Sequence, residues 1–284
     1  QANEQVQGYT VQEEKGALET RAAEYLNSFG VKRVALDSTA HTLYQYETIT
    51  RTFEGELVSE PTLLAGLRMI KDASEIELLR GATDLAEGVL HDLLPELTEG
   101  ILERELAAQF VYEFKRRGAS GPSFDPMALF GSHSSLPHGM PRDRALKSGD
   151  IVLLDFGCVL NGYCSDLTRT FAFGRIPPGW FEEIYAVTLE AQLTALEAVK
   201  PGVPCSDVDA VARDIIRDAG YGDYFGHGLG HGVGLEVHES PRLNMQSQAI
   251  LEPGMAVTVE PGIYLPGKGG VRIEDLVIVT GDGC

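Results

Sequence analysis

LLDFGCVLNGYCSDLTRTFAF, residues 153–173, holds two apolar, β-rich stretches around Asn161-Gly162. Asn-Gly between such stretches is the strongest short-range signal for a two-residue hairpin turn, because both central residues take positive φ. A turn there sets Leu160 opposite Tyr163, Gly157 opposite Asp166 and Asp155 opposite Thr168. Asp155 and Asp166 then share a face as diagonal neighbours, roughly 7–8 Å apart at Cα, a gap that two side chains and a metal can fill. Gly157 adds no side chain to crowd them.

TVEPGIYLPGKGGVRIEDLVIV, residues 258–279, repeats the arrangement with Glu260 and Glu274 around a Gly-rich loop. An odd-numbered loop centred near Gly267 puts the glutamates opposite one another on one face, whereas an even loop splits them. The glycines favour the odd loop. Four clustered carboxylates repel unless cations neutralise them, and two divalent ions would balance four negative charges. Oxygen-rich ligation with a single imidazole suits manganese, iron(II) or cobalt rather than a closed, sulfur-rich zinc site. Zinc stays as a further possibility.

The imidazole candidates fall in two loops. GHGLGHGVGLEVHESP, 226–241, carries His227, His231 and His238 among five glycines, and GSHSSLPHG, 131–139, carries His133 and His138. The glycines free the backbone to approach a ligand. They also disfavour a helix, so HGLGH is no helix-borne zinc pair. One histidine suffices as a ligand; the others can hydrogen-bond a substrate carbonyl or the charge that develops on it.

Composition bounds the rest. The 284 residues are 43% hydrophobic, enough for one large domain, or a large and a small one. A net charge of −19 without a basic stripe argues against nucleic acid or an anionic membrane as partner. No stretch approaches a transmembrane span. Cys158, Cys164, Cys205 and Cys284 show no CxxC spacing, which fits reduced thiols and a cytoplasmic protein, and Cys158 and Cys164 fall on opposite faces of the hairpin. The start at Gln1 and the stop at Cys284 are read as an incomplete chain.

Residues 1–68 read as a small α/β segment. Its helix-like stretch 17–30 ends at Gly30, a short strand follows within 31–37, and the region to Leu67 is hard to decipher. A capping box of Ser74 with Glu77 opens a long helix, and a second helix runs over 101–117. A third covers 180–199, and a fourth, capped by Ser206 or Asp207, ends at Gly220. A helix pair followed by a hairpin in each half hints at internal duplication.

Together DFGCVLNGYCSDLTRTF, HGLGHGVGLEVHESP, VEPGIYLPGKGGVRIED and LPHG resemble the pita-bread metallopeptidases, in particular the Xaa-Pro branch of aminopeptidase P and prolidase. The resemblance covers about 70–284. It implies an α+β fold, with a pita-bread catalytic domain over 69–284 made of an antiparallel sheet and flanking helices. Residues 1–68 would be a short or truncated creatinase-like N-terminal domain. It further implies a dinuclear site in which Asp155 chelates one metal, Asp166 and Glu274 bridge both, and His231 and Glu260 complete the other, usually with manganese or cobalt. His138 and His238 would contact substrate and stabilise the tetrahedral intermediate, and His227 would line the proline-side pocket. Arg272 and Tyr264 match catalytic positions near the bridging water. The expected activity is hydrolysis of an N-terminal Xaa-Pro bond, with a slight preference for aminopeptidase P over the dipeptidase prolidase, because a short N-terminal segment would leave the cleft open. Arg242 and Arg272 are the cations available to a dipeptidase for the terminal carboxylate. Peptides with proline second would be the partners, and a homodimer the assembly. Methionine aminopeptidase and a non-catalytic pita-bread binding module are the alternatives; the filled set of five ligand positions disfavours the latter.

Overall fold

The computed structural model describes Gly8, Val11 and residues 15–61, 63–177 and 179–284, and the chain divides into two compact units, 1–67 and 68–284. Part of the segment 1–68 therefore lies outside the described residues. In the first unit, helices α1 (Leu18–Ser28) and α2 (Leu43–Thr52) accompany strands β1 (Arg33–Leu36) and β2 (Glu56–Ser59), which pair in parallel. Thr42 caps α2 in a box with Gln45, and Ala23, Ile49 and Phe53 form the unit's small core. This is the stretch the sequence left undeciphered. A short helix, α3, covers Leu63–Met69.

The second unit begins with helices α4 (Ala73–Leu93) and α5 (Glu103–Arg116). The cap of α4 corrects the expectation of Ser74 with Glu77. Asp72 is the N-cap, its carboxylate accepting from the backbone of Ser74 and Glu75, and Glu75 closes the box. A carboxylate at this place gains from the helix dipole as well as from its hydrogen bonds, so it outcompetes the nearby serine hydroxyl, which itself donates to Asp72 at 2.6 Å.

Next come β3 (Gly121–Pro122), β4 (Met127–Phe130), β5 (Ile151–Phe156), β6 (Cys158–Leu160), β7 (Tyr163–Cys164) and β8 (Leu167–Ala172). Helices α6 (Trp180–Ala198) and α7 (Cys205–Asp218) follow. Neither Ser206 nor Asp207 caps α7: Pro204 is the N-cap with no side-chain bond, and both candidates lie inside the first turn. The chain ends with β9 (Gly230–Gly232), β10 (Glu239–Leu243), β11 (Ala256–Val259), β12 (Gly262–Leu265), β13 (Gly269–Arg272) and β14 (Asp275–Ile278). Among the described residues of this unit all strand pairs are antiparallel.

Register decides which side chains meet. The turn is at Asn161 (φ 51°) and Gly162 (φ 89°), Leu160 faces Tyr163, and Asp155 faces Thr168, as the Asn-Gly signal predicts. Gly157 is needed for close approach, since a Cβ there would lie 1.9 Å from the Ser165 carbonyl oxygen. In the second hairpin Leu265 faces Gly269 and Val259 faces Asp275, so the loop is odd and centred on Gly267. Glu260 and Glu274 stand opposite one another.

Strand alternation then sorts core from site. Val152, Leu154 and Phe156 of β5 pack with Phe110 and Phe114 of α5, leaving Asp155 on the opposite face. Val257, Val259, Val271 and Ile273 pack with Ile184 of α6 and Val208 of α7, leaving Thr258, Glu260, Arg272 and Glu274 on the opposite face. A helix pair thus covers each hairpin. An isolated bridge between Thr168 and Glu274 brings the two polar faces together.

Candidate metal centre

All five predicted ligands line one cavity of about 600 Å³, with His138, His227, His238, Arg242 and Arg272. At its floor, ligand atoms of Asp166, His231 and Glu274 lie within 4.8 Å of one another, and all three residues are buried. His231 Nε2 is 3.5 Å from Asp166 Oδ2 and 3.3 Å from Glu260 Oε1. Its Nδ1 is 3.0 Å from the Gly232 carbonyl oxygen, which can only accept, so Nδ1 carries a proton and Nε2 is the nitrogen turned towards the carboxylates.

The remaining bonds orient the carboxylates. Thr168 Oγ1 donates to Glu274 Oε2 at 2.7 Å, and Thr258 Oγ1 donates to Glu260 Oε1 at 3.3 Å. Asp155 Oδ2 is paired with Arg272 Nη2, while Asp155 Oδ1 is buried with no hydrogen-bond partner. Arg272 is fully engaged: besides Asp155 it donates to Thr168 Oγ1 (3.0 Å), Tyr264 Oη (2.7 Å) and the Pro137 carbonyl (3.3 Å). Tyr264 stands behind the cavity, its hydroxyl 2.9 Å from His227 Nε2.

The electrostatics are those of a charge-deficient site. Burial, reinforced by the neighbouring carboxylates, raises Asp166 and Glu274 well above the ordinary carboxylate range. Asp155 is raised by burial despite Arg272. Burial also acts on Glu260, but the hydrogen bond and charge of His231 outweigh it and hold Glu260 low. His227 is lowered by burial; His238, exposed at its edge, is lowered by partial desolvation and then by the charges of His231 and Arg242. Burial pushes Tyr264 up to about 12. An unpartnered carboxylate oxygen, two carboxyls forced towards protonation and an imidazole nitrogen facing them form a donor set that fits divalent cations.

Of the residues given a role in the site by the resemblance, Tyr264 alone does not line the cavity. His133, an imidazole candidate from the sequence, lies outside the cavity lining and has a structural place instead: its Nδ1 is bonded to buried Glu103, 2.8 Å from Oε2. Asp125, Met140 and Asn244 line the cavity and went unnoticed in the sequence, which offers no local signal for them. Thr168 was within reach, as it is the hairpin partner of Asp155.

A buried carboxylate and histidine cluster on the facing sides of two antiparallel hairpins defines a metal-dependent hydrolase of pita-bread type. The model of metallopeptidase family M24 matches residues 77–281, and the chain belongs to that family, in its Xaa-Pro branch. An Xaa-Pro dipeptidase of Pyrococcus furiosus is 47% identical over 222 residues, 78% of this chain and 64% of that protein. An Xaa-Pro dipeptidase structure from Bacillus anthracis matches with a TM-score of 0.95 and 40% identity, over 99% of this chain and 79% of the other. An X-Pro aminopeptidase structure from Thermotoga maritima gives 0.92 and 36%, over 99% and 80%. The chain is an Xaa-Pro metallopeptidase. The expected leaning towards aminopeptidase P finds no support, since two of these three relatives are named dipeptidases.

Proposed function

We propose that the protein is an Xaa-Pro dipeptidase working with two divalent ions, manganese in the first place, held by Asp155, Asp166, His231, Glu260 and Glu274. The observation that carries the dipeptidase reading is the fate of the two arginines. Arg272 is spent on Asp155, Tyr264, Thr168 and Pro137, whereas Arg242 lines the cavity, is exposed, and its side chain has no ion pair or hydrogen bond among the described residues. Arg242 is therefore the cation free to take a terminal carboxylate, a task only a dipeptidase sets.

When bound, divalent ions supply a hydroxide near neutral pH and polarise the scissile carbonyl. The chain's own residues do the rest. His138 and His238, both exposed on the cavity wall, donate hydrogen bonds to the carbonyl oxygen and to the charge that grows on it. His227 lines the proline side, and Arg272 holds Asp155 in place. An Xaa-Pro bond offers no amide N–H, so recognition rests on the shape of this pocket rather than on strand pairing. The proposal includes a cytoplasmic setting, supported by buried free thiols at Cys158, Cys164 and Cys205, and a homodimer, which light scattering tests.

The decisive experiment compares kcat/KM for Ala-Pro and Ala-Pro-Ala after manganese loading, in the wild type and in Arg242→Gln. The dipeptide should be the better substrate. Arg242→Gln should raise its KM about 10- to 100-fold, as the loss of one charge-assisted hydrogen bond implies. Equal or faster tripeptide cleavage, or an unchanged KM in Arg242→Gln, refutes the dipeptidase reading.

A further inference from the structure

Helix α7 carries a partly buried ion pair outside the carboxylate cluster. Asp209 is 0% exposed, and Arg213, one turn later, holds it with both arms of its fork: Nε to Oδ2 at 2.8 Å and Nη2 to Oδ1 at 2.9 Å. The pair then reaches out of its helix. Arg213 Nη2 donates to the carbonyl of His227 at 2.8 Å, Nη1 donates to that of Phe225 at 3.2 Å, and the guanidinium lies 4.3 Å from the Phe225 ring centre. Asp209 Oδ1 accepts from the backbone N–H of Leu229 at 3.0 Å.

Three alternate residues of one loop are thus gripped by one helix, and the residues between them are Gly226 and Gly228. Glycine gives this backbone little stiffness of its own, so its path depends on what holds it. The middle residue is His227, whose ring meets that of Phe225 edge-on at 5.0 Å and whose Nε2 is 2.9 Å from the Tyr264 hydroxyl. We propose that Arg213 and Asp209 are positioning residues that set His227 against the proline ring, and so set the preference for proline at the second substrate position. This rests on the Xaa-Pro reading above. Lysine cannot replace the fork, since a point-like ammonium cannot serve two carboxylate oxygens and two carbonyls in one plane.

The test uses manganese-loaded Arg213→Lys, with Asp209→Asn as the volume-conserving second variant if the first does not fold. Steady-state kinetics on Ala-Pro and Ala-Ala, bound metal per chain, and deuterium exchange over residues 225–231 are read together. The KM for Ala-Pro should rise on the order of tenfold to a hundredfold, the size of effect a small misplacement of a binding group produces. The Ala-Pro over Ala-Ala preference should fall with it, bound metal should stay at the wild-type level, and the Leu229 amide should exchange faster. A lower kcat with unchanged KM and unchanged preference means fewer folded molecules, and overturns the proposal. Exchange at Leu229 as slow in both variants as in the wild type overturns it too, whatever the activity. Wild-type protein that protects Leu229 but never cleaves Ala-Pro refutes the Xaa-Pro reading, and exchange in the variants then decides the clamp alone.

Discussion

Thr168→Val is the sharpest test of how the carboxylate cluster is held. Thr168 is 0% exposed, faces Asp155 across the β5–β8 ladder and bridges to Glu274. Its hydroxyl donates to Glu274 Oε2 at 2.7 Å and accepts from Arg272 Nε at 3.0 Å. Valine keeps the shape and removes both bonds. A hydrogen bond to a charged group contributes roughly 1.5–3 kcal/mol, but Arg272 keeps its other partners, so the metal-free protein should lose about 3 kcal/mol in urea unfolding. Losing the bond that aims a ligand carboxylate should weaken manganese binding about 10- to 100-fold by calorimetric titration. Thr170→Val is the control. Thr170 is 5% exposed and its hydroxyl bonds only the backbone of Arg272, donating to the carbonyl at 2.8 Å and accepting from the N–H at 3.2 Å. It should cost stability without changing metal affinity. Wild-type affinity in Thr168→Val, or an equal loss in Thr170→Val, refutes the reasoning.

Chelation should abolish Ala-Pro hydrolysis and manganese restore it, whereas Asp166→Ala should stay inactive at any manganese concentration; recovery of that variant removes Asp166 from the ligand set. The metal-free protein should become less stable as pH rises. Asp166 and Glu274 are raised in the folded state, so above the ordinary carboxylate pKa the folded chain binds more protons than the unfolded one, and stability falls as pH climbs towards the raised values. Thermal melts in chelator at about pH 5 and about pH 8 should show the lower Tm at the higher pH, with manganese closing the gap; equal melts count against the charge-deficient centre. Glu103→Ala should cost at least about 3 kcal/mol, because it strands the N–H groups of Phe130 and Arg142 and the His133 ring, which Glu103 accepts at 2.7, 2.9 and 2.8 Å. Urea unfolding measures it, and a loss below about 1 kcal/mol shows that the loop 131–142 relaxes without its anchor.

What was legible in the sequence was local parity. Asn161-Gly162 and the loop centred on Gly267 set hairpin registers, and register alone determines that Asp155, Asp166, Glu260 and Glu274 turn away from the helices. Partnerships across long sequence distances were not legible. Arg272 with Asp155, Thr168 with Glu274, and Glu103 with His133 join residues 117, 106 and 30 positions apart. No periodicity encodes them. Caps failed for a different reason: near Ser74 several residues can cap, and the choice of Asp72 depends on where the incoming chain turns extended. In the first unit, α2 and β2 have short apolar patterns around a core with three buried side chains among the described residues, too little to stand out from a loop.

The charges around Asp155 also bear on how many ions the centre takes. Four carboxylates and one permanent cation, Arg272, share the cavity, which leaves three negative charges if His231 binds a metal as a neutral imidazole. One divalent ion would leave a net negative charge among groups that burial already drives towards protonation. Two divalent ions and one hydroxide would bring the sum to zero, which supports the proposed two-ion centre. The same balance accounts for Arg272 being engaged rather than free: it is part of the neutralisation of the site, so on the proposed dipeptidase reading a substrate carboxylate would be met by a different arginine, and Arg242 is one the cavity wall provides.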